Sequence, residues 1–271
     1  MSRYISASAL TTYLKCPRSA LLSALGLRSG STPAQARGTA LHAALEDYLN
    51  GVTPTVEDDL GDLARTNGYL PRPGSDIYVE LGLGEANADA ARYAETTTWT
   101  GTPIEVAGRP FRGIVDLVRL DRGQLEIWDH KTTSGWYWAE TDETLPGNLQ
   151  LWAYAEQVCR WLEAEDRLPP GDIIMGHLQY RKTKSPRPDD VRNSVQFATT
   201  RFEVARKWKL IEDVAAAYSA DLDRALTDTR ADKGHCGAYG GCDYAPFCHL
   251  VPHRDVLPEG VKAIQRWTLD F

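Results

Sequence analysis

"FRGIVDLVRLDRGQLEIWDHKTT", residues 111–133, is the stretch on which the fold turns. Two apolar-rich runs flank Arg122-Gly123, so the segment reads as a β-hairpin with strands at 111–120 and 124–132. Side chains alternate faces along a strand, which puts Asp129 and Lys131 on one face with Leu125 and Ile127. A two-residue loop at Arg122-Gly123 sets Asp116 directly opposite Asp129, with Cβ atoms about 4.5–5.5 Å apart. Carboxylates that close repel unless something positive lies between them, and a divalent cation meets the need. A three-residue loop with Gly123 in a bulge shifts the pairing by one, so both registers stay open at this point. The bland alternative is an exposed ion pair at a strand end, because D-x-K is a common tripeptide.

Working outward, Ser6 is placed to cap a helical stretch over 7–28 that "CPR" (16–18) interrupts. Residues 36–51 read as a second helix closed by Gly51, with a further helix around 57–67. Strands are expected at 76–83 and 103–107, ahead of the hairpin. Residues 145–165 form the clearest helix, with Leu151, Ala155, Val158 and Leu162 on its apolar face. "PPG" (169–171) then leads to a strand at 172–182, a polar loop at 182–190 and a long helix over 199–228. This order predicts an α/β fold with a mixed sheet flanked by helices.

The 271 residues, 42% hydrophobic and 25% charged, are ordinary for a globular chain. No apolar run reaches the roughly 18 residues that cross a bilayer, and residues 1–16 lack a secretory layout, so the expected location is cytoplasmic, without a membrane partner. A net charge of −7 speaks against a nonspecific nucleic-acid coat but not against an enzyme with a local basic groove.

Phosphodiester hydrolysis needs a metal to polarise the phosphoryl oxygen and acidify a water, plus a cation for the developing charge. Carboxylates suit Mg²⁺ or Mn²⁺, and Lys131 supplies the cation. Asp116 followed by Asp129-His130-Lys131 resembles the PD-(D/E)XK nuclease superfamily, with a restriction-endonuclease-like core. Further segments resemble its RecB-like exonuclease branch, which includes AddB-type nucleases, iron–sulfur exonucleases of CRISPR adaptation and phage relatives. "RGTALHAALE" (37–46) is similar to the first motif and implies His42 as a metal ligand beside Asp116, Asp129 and the backbone carbonyl of His130. "NLQLWAYA" (148–155) is similar to the Q-x-x-x-Y helix and implies Gln150 and Tyr154 at the scissile phosphate or the lysine. On a helix the two share a face and, without the resemblance, read as an ordinary half-buried boundary. Glu80, inside "IYVELGL", is left open between metal ligand, base and solvent-facing residue.

Cys236, Cys242 and Cys248 are each separated by five residues, and with Cys16 they make four thiolates. That count suits a [4Fe–4S] cluster or a structural zinc, and the lack of a tight C-x₂₋₄-C knuckle favours iron–sulfur. The resemblance implies the same set, joining the N- and C-terminal parts as a staple, while Cys159 reads as a buried thiol. One domain is expected over 1–271, with the nuclease core at about 76–182 and cluster-binding parts at about 10–20 and 234–250.

Candidate DNA contacts are Lys182, Lys184 and Arg187, with Arg181 beside them, and Arg206, Lys207 and Lys209 on the next helix. Trp136, Tyr137 and Trp138 follow the lysine, where aromatics can stack unpaired bases. The reading is a metal-dependent exonuclease acting on single-stranded DNA or DNA ends, in recombination, repair or phage DNA processing. No P-loop is visible, so the chain is not expected to unwind duplex by its own ATP hydrolysis. A stand-alone nuclease is favoured over a fused subunit, with a helicase or recombination protein as a partner class. The alternative is a non-cutting DNA-binding or adaptor protein that retains the fold, and a sequence-specific endonuclease is a third reading.

Overall fold

The computed structural model describes residues 4–27, 33–74, 76–85, 98–223, 242, 244 and 248. The elements run β1 (Ile5–Ser6), α1 (Ala7–Lys15), α2 (Pro17–Ala24), α3 (Pro33–Leu49), α4 (Asp59–Thr66), β2 (Ile77–Leu83), β3 (Glu105–Val106), β4 (Arg109–Asp121), β5 (Gln124–Thr133), α5 (Leu149–Ala164), β6 (Ile173–Arg181), β7 (Val191–Thr199) and α6 (Arg201–Leu222). Local chemistry accounts for several boundaries. Ser6 Oγ accepts the Ala9 N–H at the start of α1. Pro17 cannot donate and holds Cys16 extended (φ −156°), which splits α1 from α2. Asn148 caps α5 by accepting the Leu151 N–H.

The chain divides into two compact units, and β4 and α6 have residues in each. The first contains the described residues before 31, Ile104–Arg112 and those from Lys209 onward. In it β1 runs parallel to the start of β4 (Ile5 with Phe111), and β3 pairs antiparallel with β4 (Val106 with Arg109). Tyr13 of α1 donates to Asp221 of α6 at 2.7 Å, and Arg109 pairs with Asp223 at 2.7 Å.

The second unit contains the described residues of 31–103 and Gly113–Trp208. Its strands lie in the order β2-β4-β5-β6-β7; β5 and β6 are parallel and the other neighbours antiparallel. The expected mixed α/β architecture is therefore present. One sheet face carries Val79, Leu117, Leu178 and Tyr180 under Leu41, Leu45 and Tyr48 of α3 and Leu60 of α4. On α5, Leu151, Ala155, Val158 and Leu162 are all fully buried.

Strand β7 corrects the sequence reading, which passed from the polar loop straight to the last helix. "VRNSVQFAT" buries Val191 and Val195 but leaves Arg192 and Gln196 exposed, the mixed pattern of a strand at the sheet edge. So diluted a pattern gives little periodic signal.

The hairpin has the two-residue loop. Pairing runs from Asp121–Gln124 to Leu117–Trp128, with Arg122 at φ 48° and Gly123 at φ 81°. Positive φ at both loop residues is the type I′ requirement, which favours Asn or Gly where Arg122 stands. Arg122→Asn is expected to raise stability by roughly 1 kcal/mol, read as a higher denaturation midpoint with unchanged slope.

Candidate active site

One position beyond the Leu117–Trp128 pair stand Asp116 and Asp129, 9% and 2% exposed. Asp116 Oδ2 accepts the His130 backbone N–H at 2.6 Å, which fixes one carboxylate against the neighbouring strand. Helix α3 brings a histidine to the same place. A Cβ at Gly38 would stand 3.1 Å from Thr132 Oγ1, so the bare glycine lets α3 approach β5 closely. One turn on, His42 Nε2 lies 3.0 Å from the His130 carbonyl oxygen and Nδ1 lies 3.8 Å from Asp116 Oδ2. A carbonyl only accepts, so Nε2 donates to it, and the other ring nitrogen, Nδ1, faces the carboxylate.

Strand β2 contributes the member that sequence reading left open. Glu80 sits between the pairs Val79–Leu117 and Leu81–Val115 with φ 50°, a left-handed conformation in mid-strand. Such backbone costs about 1–3 kcal/mol and recurs where function demands it. One ligand atom each of His42, Glu80 and Asp116 lie within 4.8 Å of one another, the one such trio among the described residues. The sequence signal was a single acid in an otherwise apolar strand.

The electrostatics suit a divalent cation. Burial, then Asp129, push Asp116 up to about 6. Burial, then Asp116, Glu46 and Asp129, push Glu80 up to about 8. Each carboxylate is crowded by burial and by the others, and a divalent ion would relieve both causes. One imidazole nitrogen and two carboxylates form a hard donor set suited to Mn²⁺ or Mg²⁺.

Asp129 and Lys131 form a second pairing on the face toward α5. Lys131 Nζ makes a close ion pair with Asp129 Oδ2 and donates to Gln150 Oε1 at 3.3 Å. Gln150 Nε2 donates to Asp129 Oδ1 at 3.2 Å and to Tyr154 Oη at 2.8 Å. Burial would raise the Asp129 carboxyl, but Lys131 and His177 hold it below the usual range. Burial likewise opposes the charge on Lys131, and Asp129 and Asp116 outweigh it, so the ammonium stays protonated. Sequence reading missed His177, which pairs with Asp129 across β5–β6 and lies 4.0 Å from its Oδ2. No sequence pattern pointed to it; burial holds it neutral, pushed down to about 4.

Tyr154 depends on a glycine across the sheet. A Cβ at Gly113 would stand 2.8 Å from the Tyr154 ring, which is only 5% exposed and has no room to retreat. Gly113→Ala is expected to cost about 1–3 kcal/mol of stability by overpacking. Tyr154→Leu in the same chain should recover part of that loss in a denaturant titration.

The other candidates are more dispersed. Trp136 lies beneath the guanidinium groups of Arg192 (3.9 Å to the ring centroid) and Arg181 (5.4 Å). Tyr137 is 87% exposed and Trp138 49%, so both project from the turn after β5 rather than fill the core. Lys182 Nζ donates to Thr132 Oγ1 at 3.3 Å, while Lys184 and Arg187 are exposed. On α6, Arg206 and Lys209 pair with Glu203 and Glu212, the pattern of a solvated charged face.

Cys16, Cys242 and Cys248 lie in the first unit, and Cys236 lies outside the described residues. Cys248 packs with Leu22 of α2 and with Leu27 beyond the end of that helix. Cys159 is buried in α5, as expected, and its thiol is pushed up to about 12 by burial. No helix among the described residues is long and apolar enough to cross a membrane.

Residues 4–249 match the family model of the PD-(D/E)XK nuclease superfamily. Among curated proteins none matches. Among solved structures the chain is similar to SSO0001, with 17% identity, 93% of this chain and 88% of that one covered, and a TM-score of 0.44. It is also similar to a Eubacterium rectale protein named provisionally as an exonuclease, with 12% identity, 95% and 90% covered, and a TM-score of 0.46.

Proposed function

Because the chain belongs to the PD-(D/E)XK nuclease superfamily, we propose that it is a metal-dependent DNA exonuclease of the RecB-like branch, acting on single strands or ends. The observation that carries this is the meeting of His42, Glu80 and Asp116 within 4.8 Å, beside the Lys131–Asp129 pair. His42, Glu80 and Asp116 would hold the ion, with Asp129 and the His130 carbonyl at its border. When bound, the ion supplies Lewis-acid activation of the phosphoryl oxygen and of a water.

The chain's own groups do the rest. Lys131, kept charged by Asp129, is the cation available to the phosphate oxygens as negative charge builds. Gln150 holds Asp129 and Lys131 in register through both ends of its amide, and Tyr154 fixes the orientation of that amide. Burial of Asp116 and Asp129 keeps water from weakening these fields.

The test is digestion of end-labelled linear DNA and of circular single-stranded DNA, with Mg²⁺, Mn²⁺ or chelator. Metal-dependent loss of linear DNA with circles left intact is the expected result. Cleavage of circles would make the enzyme an endonuclease, and no cleavage with either metal would remove the nuclease reading.

The cysteines fit a cluster in part, since Cys16, Cys242 and Cys248 belong to one unit. We assign them, with Cys236, to a structural [4Fe–4S] cluster in place of zinc. Iron and zinc content of anaerobically purified protein decides between the two.

A further inference from the structure

Beyond the cation site, where β6 ends and β7 begins, lies an open pocket of about 690 Å³ lined by Tyr69, Trp136, Arg181, Arg192, Asn67 and Asp189, among others. We propose that this pocket receives one unpaired nucleotide of the strand being cut, with Arg192, held over Trp136, bonded to its phosphate and its base against Tyr69. The proposal rests on the nuclease reading above and specifies the form of its substrate.

Register sets the pocket's place. Lys131 pairs with Gln179 across β5–β6, and Gln179 pairs with Arg192 across β6–β7. Paired residues share a face, and neighbouring strands lie about 4.7–4.9 Å apart, so the Arg192 backbone stands about 10 Å from that of Lys131. The β6–β7 pairing shifts by one between His177 and Gln179, and that irregularity is what brings Arg192 opposite Gln179. A strand held at Lys131 reaches this pocket about one or two nucleotides farther on.

The charges identify which arginine is free. Arg181 donates to Asp190 Oδ1 at 2.6 Å, and the other Asp190 oxygen accepts from Thr183 and the Arg187 backbone. Arg181 is therefore neutralised within the loop. Arg192 is exposed and has no acidic partner among the described residues; its guanidinium lies 3.9 Å from the Trp136 centroid. The contact holds the guanidinium over the ring while its N–H groups remain donors for a phosphate. The volume is in the range of small-ligand pockets, roughly 300–1,000 Å³, and the Tyr69 ring suits a base of any sequence. A base inside the pocket has left its partner, so a closed duplex cannot fill it.

The test is binding of an end-labelled oligothymidylate, in chelator, by the wild type, Arg192→Ala and Arg192→Lys, across a salt series. Arg192→Ala is expected to weaken binding roughly 5- to 10-fold and to lower the slope of log K against log salt by about 0.7, one phosphate contact on a single strand. Arg192→Lys should keep the slope and lose part of the affinity. Binding to a blunt hairpin duplex should change little, and in cleavage assays the effect should fall on KM. Equal losses on single strand and duplex, or no change in affinity and slope, overturn the pocket while leaving cleavage by the wild type to stand. A wild type that neither binds nor cuts DNA overturns the nuclease reading and the pocket together. Melting curves show that each variant is folded.

Discussion

Lys131→Ala is expected to lower the cleavage rate by about 10²–10³-fold or more, the usual loss when a preorganised charge is removed from a developing oxyanion. Among the described residues Lys131 is the one amine in contact with Asp129, and Gln150 aims it. Truncation leaves the Asp129 carboxylate, 2% exposed, without its ion pair. Asp129 should then take up a proton more readily, and the residual activity should move to higher pH. Asp129→Asn removes the partner that keeps Lys131 charged and should cost a similar factor. Because the two act as one unit, Lys131→Ala/Asp129→Asn should be no slower than the worse single variant. Multiplicative losses in the double variant would show that the residues act separately. Arg192→Ala is the contrast, with its effect on KM.

Glu80→Gln is expected to stabilise the metal-free protein and to remove its response to divalent cation. Glu80 is pushed from 4.5 up to about 8 and Asp116 from 3.8 up to about 6, so the folded chain retains protons that the unfolded chain has released. Stability in chelator therefore falls as pH rises from about 4 through 8, and is fullest below the unfolded values. Glu80→Gln lacks the larger part of this slope. Its advantage should be absent near pH 4 and greatest above pH 8. There it should be on the order of 3 kcal/mol, since part of the shift belongs jointly to Asp116. For a chain of this size that is roughly 6–12 °C in Tm. With Mn²⁺ at about a hundred times its Kd the wild type should gain about 2.7 kcal/mol, and Glu80→Gln little or nothing. A Glu80→Gln protein that melts lower than wild type at pH 8.5 in chelator, or that still gains from Mn²⁺, would take Glu80 out of the cation site.

The hairpin and α5 were legible in the sequence because their signals are local. The alternation on either side of Arg122-Gly123 marks the two strands. The two-residue loop that sets Asp116 beside Asp129 is one of two registers the sequence leaves open, and the structure chose it. The apolar stripe of α5 likewise needs nothing beyond a 3.6-residue period. Cys16-Pro17 announced the break between α1 and α2 for the same reason. Tertiary structure decided the rest. Glu80 reaches the site only because β2 pairs with β4 and because its backbone turns left-handed between two regular pairs, which no residue type around it announces. His177 meets Asp129, and Arg192 comes opposite Gln179, through pairings between strands distant in sequence. The ladder between His177 and Gln179 slips by one residue, and a slip of one exchanges the faces of everything beyond it. Strand β7 reads as a strand only once β6 is beside it. The hairpin strands carry their alternation in their own residues, whereas the choice between its two registers and the partners of Asp116, Asp129 and Lys131 are decided by the packing of β2, α3, α5 and β6 around them.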